Sequence, residues 1–184
     1  MFNENHIILP AVNKMKDFEK LMRMPLDYIV VLDTHIAQLQ AMIKMAKHHN
    51  KKVLLHADLV NGLKHDEYAA EFICQYIRPY GVISTRGTML TVAKKRGLMT
   101  VQRFFLLDSL ALETSYRTFE KVNPDMIEVL PGLVPKMIKA IRQKTGRPII
   151  AGGLIHTKED IQNAFDAGAT AVSTSDKTLW HPAH

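Results

Sequence analysis

The chain has 184 residues, 47% hydrophobic, with 24 Lys and Arg against 18 Asp and Glu and a formal net charge of +6. That length makes one domain, 1–184, the simplest division, and the basic excess fits a phosphate or nucleic-acid partner without requiring one. A lone cysteine, Cys74, excludes an intramolecular disulfide and suits a reducing cytoplasm, while an N-terminus "MFNENHIILPAV" without a signal-peptide layout and the lack of any bilayer-length apolar run argue against a membrane.

In chain order, the first strand-like runs are "HIILPAV" and "YIVVL", the second followed by Asp33. Met42 and Met45 then read as helix-packing residues. His48-His49 closes that helix, where positive charge suits the C-terminal dipole better than a metal. "KVLLHAD" is the third run; His56 and Asp58 sit two apart in it and share a face if the strand reaches that far. In the next segment Ala69, Phe72, Ile73, Tyr76 and Ile77 fall at i, i+3, i+4, i+7 and i+8, one apolar helical stripe with Cys74 beside it as a small core residue. "GVIST" follows, with Arg86 after it, and Gly97 is placed to stop the helix that ends in Lys94-Lys95-Arg96.

The fifth run, "MTVQRFFLL", carries Gln102 and Arg103, and the sixth, "MIEVLP", carries Glu128. Val134, Met137, Ile138 and Ile141 form the next stripe, ending at Gly146. "PIIAGG" ends in Gly152-Gly153. Thr157 with Asp160 then makes a capping-box-like start, where a side-chain oxygen takes a free helix N–H, to a stripe of Ile161, Ala164, Phe165 and Gly168. "AVSTS" ends in Ser173-Thr174-Ser175 and leaves only "DKTLWHPAH" for a last helix.

Most of these runs are continuous Val, Ile and Leu rather than polar–apolar alternations. That pattern belongs to strands covered on both faces, as in parallel sheets. Regular strand–helix alternation implies right-handed parallel crossovers. Eight such units predict an α/β fold, a compact TIM-type (β/α)8 barrel with a short final helix, although the chain falls below the usual ~200-residue lower limit. An open doubly wound sheet is the alternative; the lack of a dinucleotide loop favours closure.

In such barrels the loops after strands seven and eight commonly bind phosphate. Here those strands end in Gly152-Gly153 and Ser173-Thr174, and a short helix from about Asp176 would aim free N–H groups at the same place. The competing reading is that the glycines only permit a tight turn. The other strand ends offer His56, Asp58, Arg103 and Glu128, and Arg103 and Glu128 lie on adjacent strands where they could pair. That set could equally be a salt-bridge network satisfying buried charges. His56, Asp58 and Glu128 are potential metal ligands, but no tight ligand motif is present, so no metal is assigned. No lysine sits near the end of a strand to form a Schiff base: Lys52 begins a strand, and Lys94 and Lys95 lie in a helix. This counts against an aldolase. The clusters Lys94-Lys95-Arg96 and Lys136, Lys139, Arg142, Lys144 and Arg147 could meet RNA phosphates, although charge runs are usually solvated faces.

The segments "LLHADLVNGLKHDEYAAEFI", "GVISTR", "VQRFFLLDSLALET", "IEVLPGLVPKMI", "PIIAGGLIHTKEDI" and "AVSTSDKTLW" together resemble the glycerol uptake operon antiterminator regulatory proteins over nearly the whole chain. The resemblance implies a cytoplasmic bacterial regulator with a barrel of the phosphate-binding type. In the presence of glycerol 3-phosphate it would act on the leader mRNA of a glycerol catabolic operon and prevent premature transcription termination. It implies an effector rather than a cofactor, no catalytic residues, and an effector site built from His56, Asp58, Arg103, Glu128, Gly152, Gly153, Ser173 and Thr174. No aromatic platform or glycine clamp locates the RNA surface. One arrangement is that the ligand orders the polar segment "DLVNGLKHD" beside Arg86 and so completes a basic surface. A homo-oligomer is compatible with this reading. The alternatives are a phosphosugar isomerase or lyase, with Glu128 or Asp58 as base and His56 as acid, and a metabolite-binding module without RNA.

Overall fold

A computed structural model describes residues 6–180 of the chain. Strands and helices alternate: β1 (Ile7–Val12), α1 (Met15–Leu21), β2 (Tyr28–Val31), α2 (Ile36–His48), β3 (Lys52–His56), α3 (Glu67–Glu71), β4 (Gly81–Ser84), α4 (Gly87–Lys95), β5 (Met99–Phe105), α5 (Ser109–Val122), β6 (Met126–Leu130), α6 (Pro135–Thr145), β7 (Ile149–Gly152), α7 (Lys158–Asp166) and β8 (Ala171–Thr174). The strands close into a parallel barrel in the order β1-β8-β7-β6-β5-β4-β3-β2, with β1 paired to both β8 and β2. The final helix is a single 3₁₀ turn, Lys177–Leu179. Among the described residues no helix is long and apolar enough to cross a membrane.

The continuous apolar runs follow from this closure. Along β8, Ala171 packs inside the barrel and Val172 packs under the helices. The interior is filled by Leu9, Val30, Leu54, Ile83, Val101, Met126 and Ile150, each essentially inaccessible. Each such side chain contributes about 1.5–3 kcal/mol by leaving water. At the N-terminal end of the barrel the Lys52 ammonium lies 4.8 Å from the Tyr28 ring centre and 5.4 Å from that of Tyr80, and donates to Tyr28 Oη at 3.3 Å. Lys52 therefore closes the end opposite the strand C-termini.

Local signals act as written. Thr157 Oγ1 accepts the Asp160 N–H at 3.0 Å, and Asp160 Oδ2 accepts the Thr157 N–H at 2.9 Å, a complete capping box at the start of α7. Gly146 ends α6 at φ +64, a conformation that costs glycine no Cβ clash.

Two segments differ from the sequence expectation. Beyond α3 the helix widens into a π-helical stretch, Phe72–Ile77, where the Arg78 N–H reaches back five residues to the Ile73 carbonyl. The wider turn rotates the apolar stripe, so Ile73, Cys74 and Ile77 are buried while Tyr76 is 75% exposed and stacks on Phe72. The polar segment after β3 is also tied down. Val60–Asn61 pairs in parallel with Thr34–His35, and Asn61 Nδ2 donates to Asp33 Oδ1 at 2.7 Å.

Candidate functional site

Barrel register decides which polar side chains meet at the C-terminal mouth. His56 is level with Ile83, an interior residue, so it also points inward. Arg103 is level with Glu128, and Gly152 with Ser173. These five residues ring the last inward layer of the barrel, directly above its apolar filling.

Arg103 Nε donates to Glu128 Oε2 at 2.7 Å, and Ser173 Oγ donates to Glu128 Oε1 at 3.2 Å. Glu128 is therefore engaged through both oxygens, at 1% exposure. The Arg103 guanidinium also lies 5.7 Å from the Phe105 ring centre. His56 is 2% exposed, and neither ring nitrogen has a hydrogen-bond partner among the described residues. Burial pushes its pKa down from 6.5 to about 4; the nearby Arg103 charge pushes the same way, while Glu128 and Asp58 oppose. The imidazole is neutral at pH 7.

The glycine pair has two distinct geometries. A Cβ on Gly152 would sit 2.4 Å from Ser173 Oγ and 3.0 Å from Glu128 Oε1, so glycine leaves room for that polar layer. Gly153 has φ +74, and its missing Cβ faces the Leu130 side chain. Leu154 follows at φ +62 and is exposed, an uncommon state for a non-glycine residue. Gly132 was not among the sequence candidates. Its N–H donates to the Gly152 carbonyl at 2.6 Å, and a Cβ there would meet the Gly152 backbone N at 2.9 Å. The β6 loop is thus laid against the end of β7, a contact between segments that no local pattern encodes.

Asp58 and Thr174 sit differently. β3 stops at His56, and Asp58 falls in a 3₁₀ turn instead of continuing the inward face. Its carboxylate accepts Ser84 Oγ at 2.5 Å, Thr85 N–H at 2.7 Å and Thr85 Oγ1 at 2.8 Å, which locks the β3 and β4 loops together. Thr174 lies one step past the inward Ser173 and so faces outward. Its hydroxyl donates to the Ile155 carbonyl at 2.8 Å and accepts the Asp176 N–H at 3.1 Å, while its own carbonyl accepts the Trp180 indole N–H at 2.9 Å. Thr178, in the last turn, gives its N–H to Asp176 Oδ1. Gln102 also faces outward, with Nε2 donating to the Ser115 carbonyl. Among the described residues no three His, Cys, Asp or Glu side chains converge as a metal site.

The chain as a whole is similar to known proteins. A crystal structure of a glycerol uptake operon antiterminator regulatory protein from Listeria monocytogenes str. 4b F2365 is 47% identical and superposes with a TM-score of 0.94, covering 98% of this chain and 97% of that one. A glycerol uptake operon antiterminator-related protein from Thermotoga maritima MSB8 is 34% identical with a TM-score of 0.82, covering 96% and 98%. The uncharacterized protein YgcP of Escherichia coli (strain K12) is 33% identical over 175 residues, 93% of this chain and 91% of that protein. The family model for the glycerol-3-phosphate responsive antiterminator matches residues 8–180, and the chain belongs to that family.

Proposed function

We propose that this protein is a glycerol 3-phosphate-gated regulator that binds the leader RNA of a glycerol catabolic operon and prevents early termination of its transcription. The observation that carries the reading is His56: a buried, neutral imidazole with both nitrogens unpartnered, set beside the Arg103–Glu128 pair in a barrel mouth. Leaving such a polar group unpaired costs about 1–3 kcal/mol, a penalty that a ligand hydroxyl removes. The glycerol hydroxyls meet His56, Glu128, Arg103 and Ser173. The phosphate lies against the backbone at Gly153 and the end of β8, the usual phosphate position of such barrels.

The enzyme reading is weaker on the same geometry. Glu128 would have to leave Arg103 and Ser173 to act as a base, and Asp58 would have to leave Ser84 and Thr85. A gate requires the ligand to favour one of two states, and the coupling is reciprocal. RNA binding is therefore measured by titration with and without glycerol 3-phosphate, and ligand binding with and without RNA. The two tightening factors should be equal. Equal RNA affinity with and without ligand sinks the gate; no RNA binding at low salt leaves a metabolite-binding module.

A further inference from the structure

The two ends of the barrel differ in how their charges are arranged. At the mouth, exposed Lys64, Arg86, Lys136 and Lys158 are interspersed with Asp33, Asp66, Asp108 and Glu159, so both signs face an RNA backbone there. At the opposite end, where helices finish and strands begin, α4 runs out through Lys94, Lys95 and Arg96, and α6 through Arg142, Lys144 and Arg147. The sequence separates these clusters, and the fold joins them. Lys94 Nζ donates to the Asn123 carbonyl and Arg147 Nη2 donates to Asn123 Oδ1, so both grip the turn between α5 and β6. Lys121, exposed in the last turn of α5, adds its charge between them.

Helix dipoles alone do not explain this concentration. They favour cations in the last turn of every helix, yet α7 has none there, while Arg96 and Arg147 lie beyond the last turns of α4 and α6. Beside the strip, between the ends of α6 and α7, is a hollow of about 400 Å³ lined by Lys139, Arg142, Gln143 and Gly168 among others. Asp166 lines it too, so Lys139 and Arg142 leave one positive charge in excess; with the Gln143 amide as a further donor, that lining suits a phosphate or an unstacked base.

We propose that RNA docks on this basic end of the barrel, centred on the turn at Asn123 and opposite the metabolite mouth. The proposal rests on the antiterminator reading and adds the location of its partner. Effector and RNA then occupy opposite ends of the same two strands: β5 and β6 carry Arg103–Glu128 at the mouth, and at the base Thr100 of β5 donates its Oγ1 to Oδ2 of Asp125, the residue before β6, at 2.8 Å.

The test compares two triple variants that change net charge equally. One is Lys95→Glu/Lys121→Glu/Lys139→Glu at the base, and the other is Lys64→Glu/Lys136→Glu/Lys158→Glu at the mouth; all six side chains are exposed. The probe is an in vitro transcript of the leader preceding a glycerol kinase operon of the source genome. The base variant should lose RNA affinity by at least about tenfold, with a shallower salt dependence from its missing phosphate contacts. It should keep the thermal shift given by glycerol 3-phosphate, which shows that it is folded. The mouth variant should bind RNA within about threefold of wild type. Equal losses in both variants, or a larger loss at the mouth, overturn the proposal while leaving the regulatory function standing. If wild-type protein binds no transcript, the regulatory reading itself fails and takes this surface with it.

Discussion

Arg103 and Glu128 stand at the same register of β5 and β6, with Nε and Oε2 2.7 Å apart and both side chains almost fully buried. Removing one member of a buried ion pair strands the other charge. Glu128→Ala should therefore destabilise the fold by about 3–5 kcal/mol in urea unfolding. The apolar double replacement Arg103→Met/Glu128→Leu should restore most of that stability. It should still give no thermal shift with glycerol 3-phosphate; a double variant that binds normally places the effector elsewhere.

At the end of β7, Gly153→Val forces a β-branched residue to φ +74 beside Leu130. We expect a stability cost of about 1–3 kcal/mol and loss of ligand binding. Wild type at a hundredfold excess of ligand over its Kd should gain about 2.7 kcal/mol, and the variant none, by differential scanning fluorimetry. Gly152→Ala, whose Cβ would fall 2.4 Å from Ser173 Oγ, provides a second substitution at the same mouth. Normal binding by both variants moves the phosphate away from this strand end.

His56 predicts a pH dependence with a definite sign. Its pKa is about 4 in the folded chain against 6.5 for a free imidazole, so between these values the unfolded chain holds more protons. Stability should accordingly fall as pH drops from 6.5 towards 4, by on the order of 3 kcal/mol for this group, and level off above 6.5. The difference in unfolding free energy between wild type and His56→Leu, followed across that range, isolates the effect. Carboxylates held low by hydrogen bonds, such as Asp160, lose their contribution only at lower pH. A difference that does not change with pH would mean that the ring is solvated.

The capping box of α7 starts four residues past Gly153, but the Thr157 and Asp160 side chains bond each other's backbone, so it serves as a control for the helix start alone. Thr157→Ala should cost about 1 kcal/mol through the lost helix cap. Ligand affinity should not change, as read by isothermal titration.

Much of the barrel was legible because its physics is local and repetitive. A strand covered on both faces must be apolar at consecutive positions, so "YIVVL" and "PIIAGG" could be placed without knowing their neighbours. The Arg103–Glu128 pair was readable because adjacent parallel strands of similar length leave few registers. Tyr76 was misplaced because one π-type turn changes the period, and residue identity does not announce it. Asp58 depended on where β3 ends, a matter of two residues. Thr174 had a usable signal: with Ala171 and Ser173 inward, strict alternation turns it out. Gly132 had none, since its reason for being glycine is the backbone of a strand twenty residues later.

Trp180 is the chain's one tryptophan, buried at 4% exposure with its indole N–H on the carbonyl of Thr174. The molecule therefore carries a single indole fluorophore, hydrogen-bonded to the end of its eighth strand one residue past Ser173 of the mouth. Its emission originates from one place, so any rearrangement of that strand end shifts one signal, undiluted by other indoles. An unlabelled, unmodified protein can thus report effector arrival optically, in the same cuvette in which RNA is added.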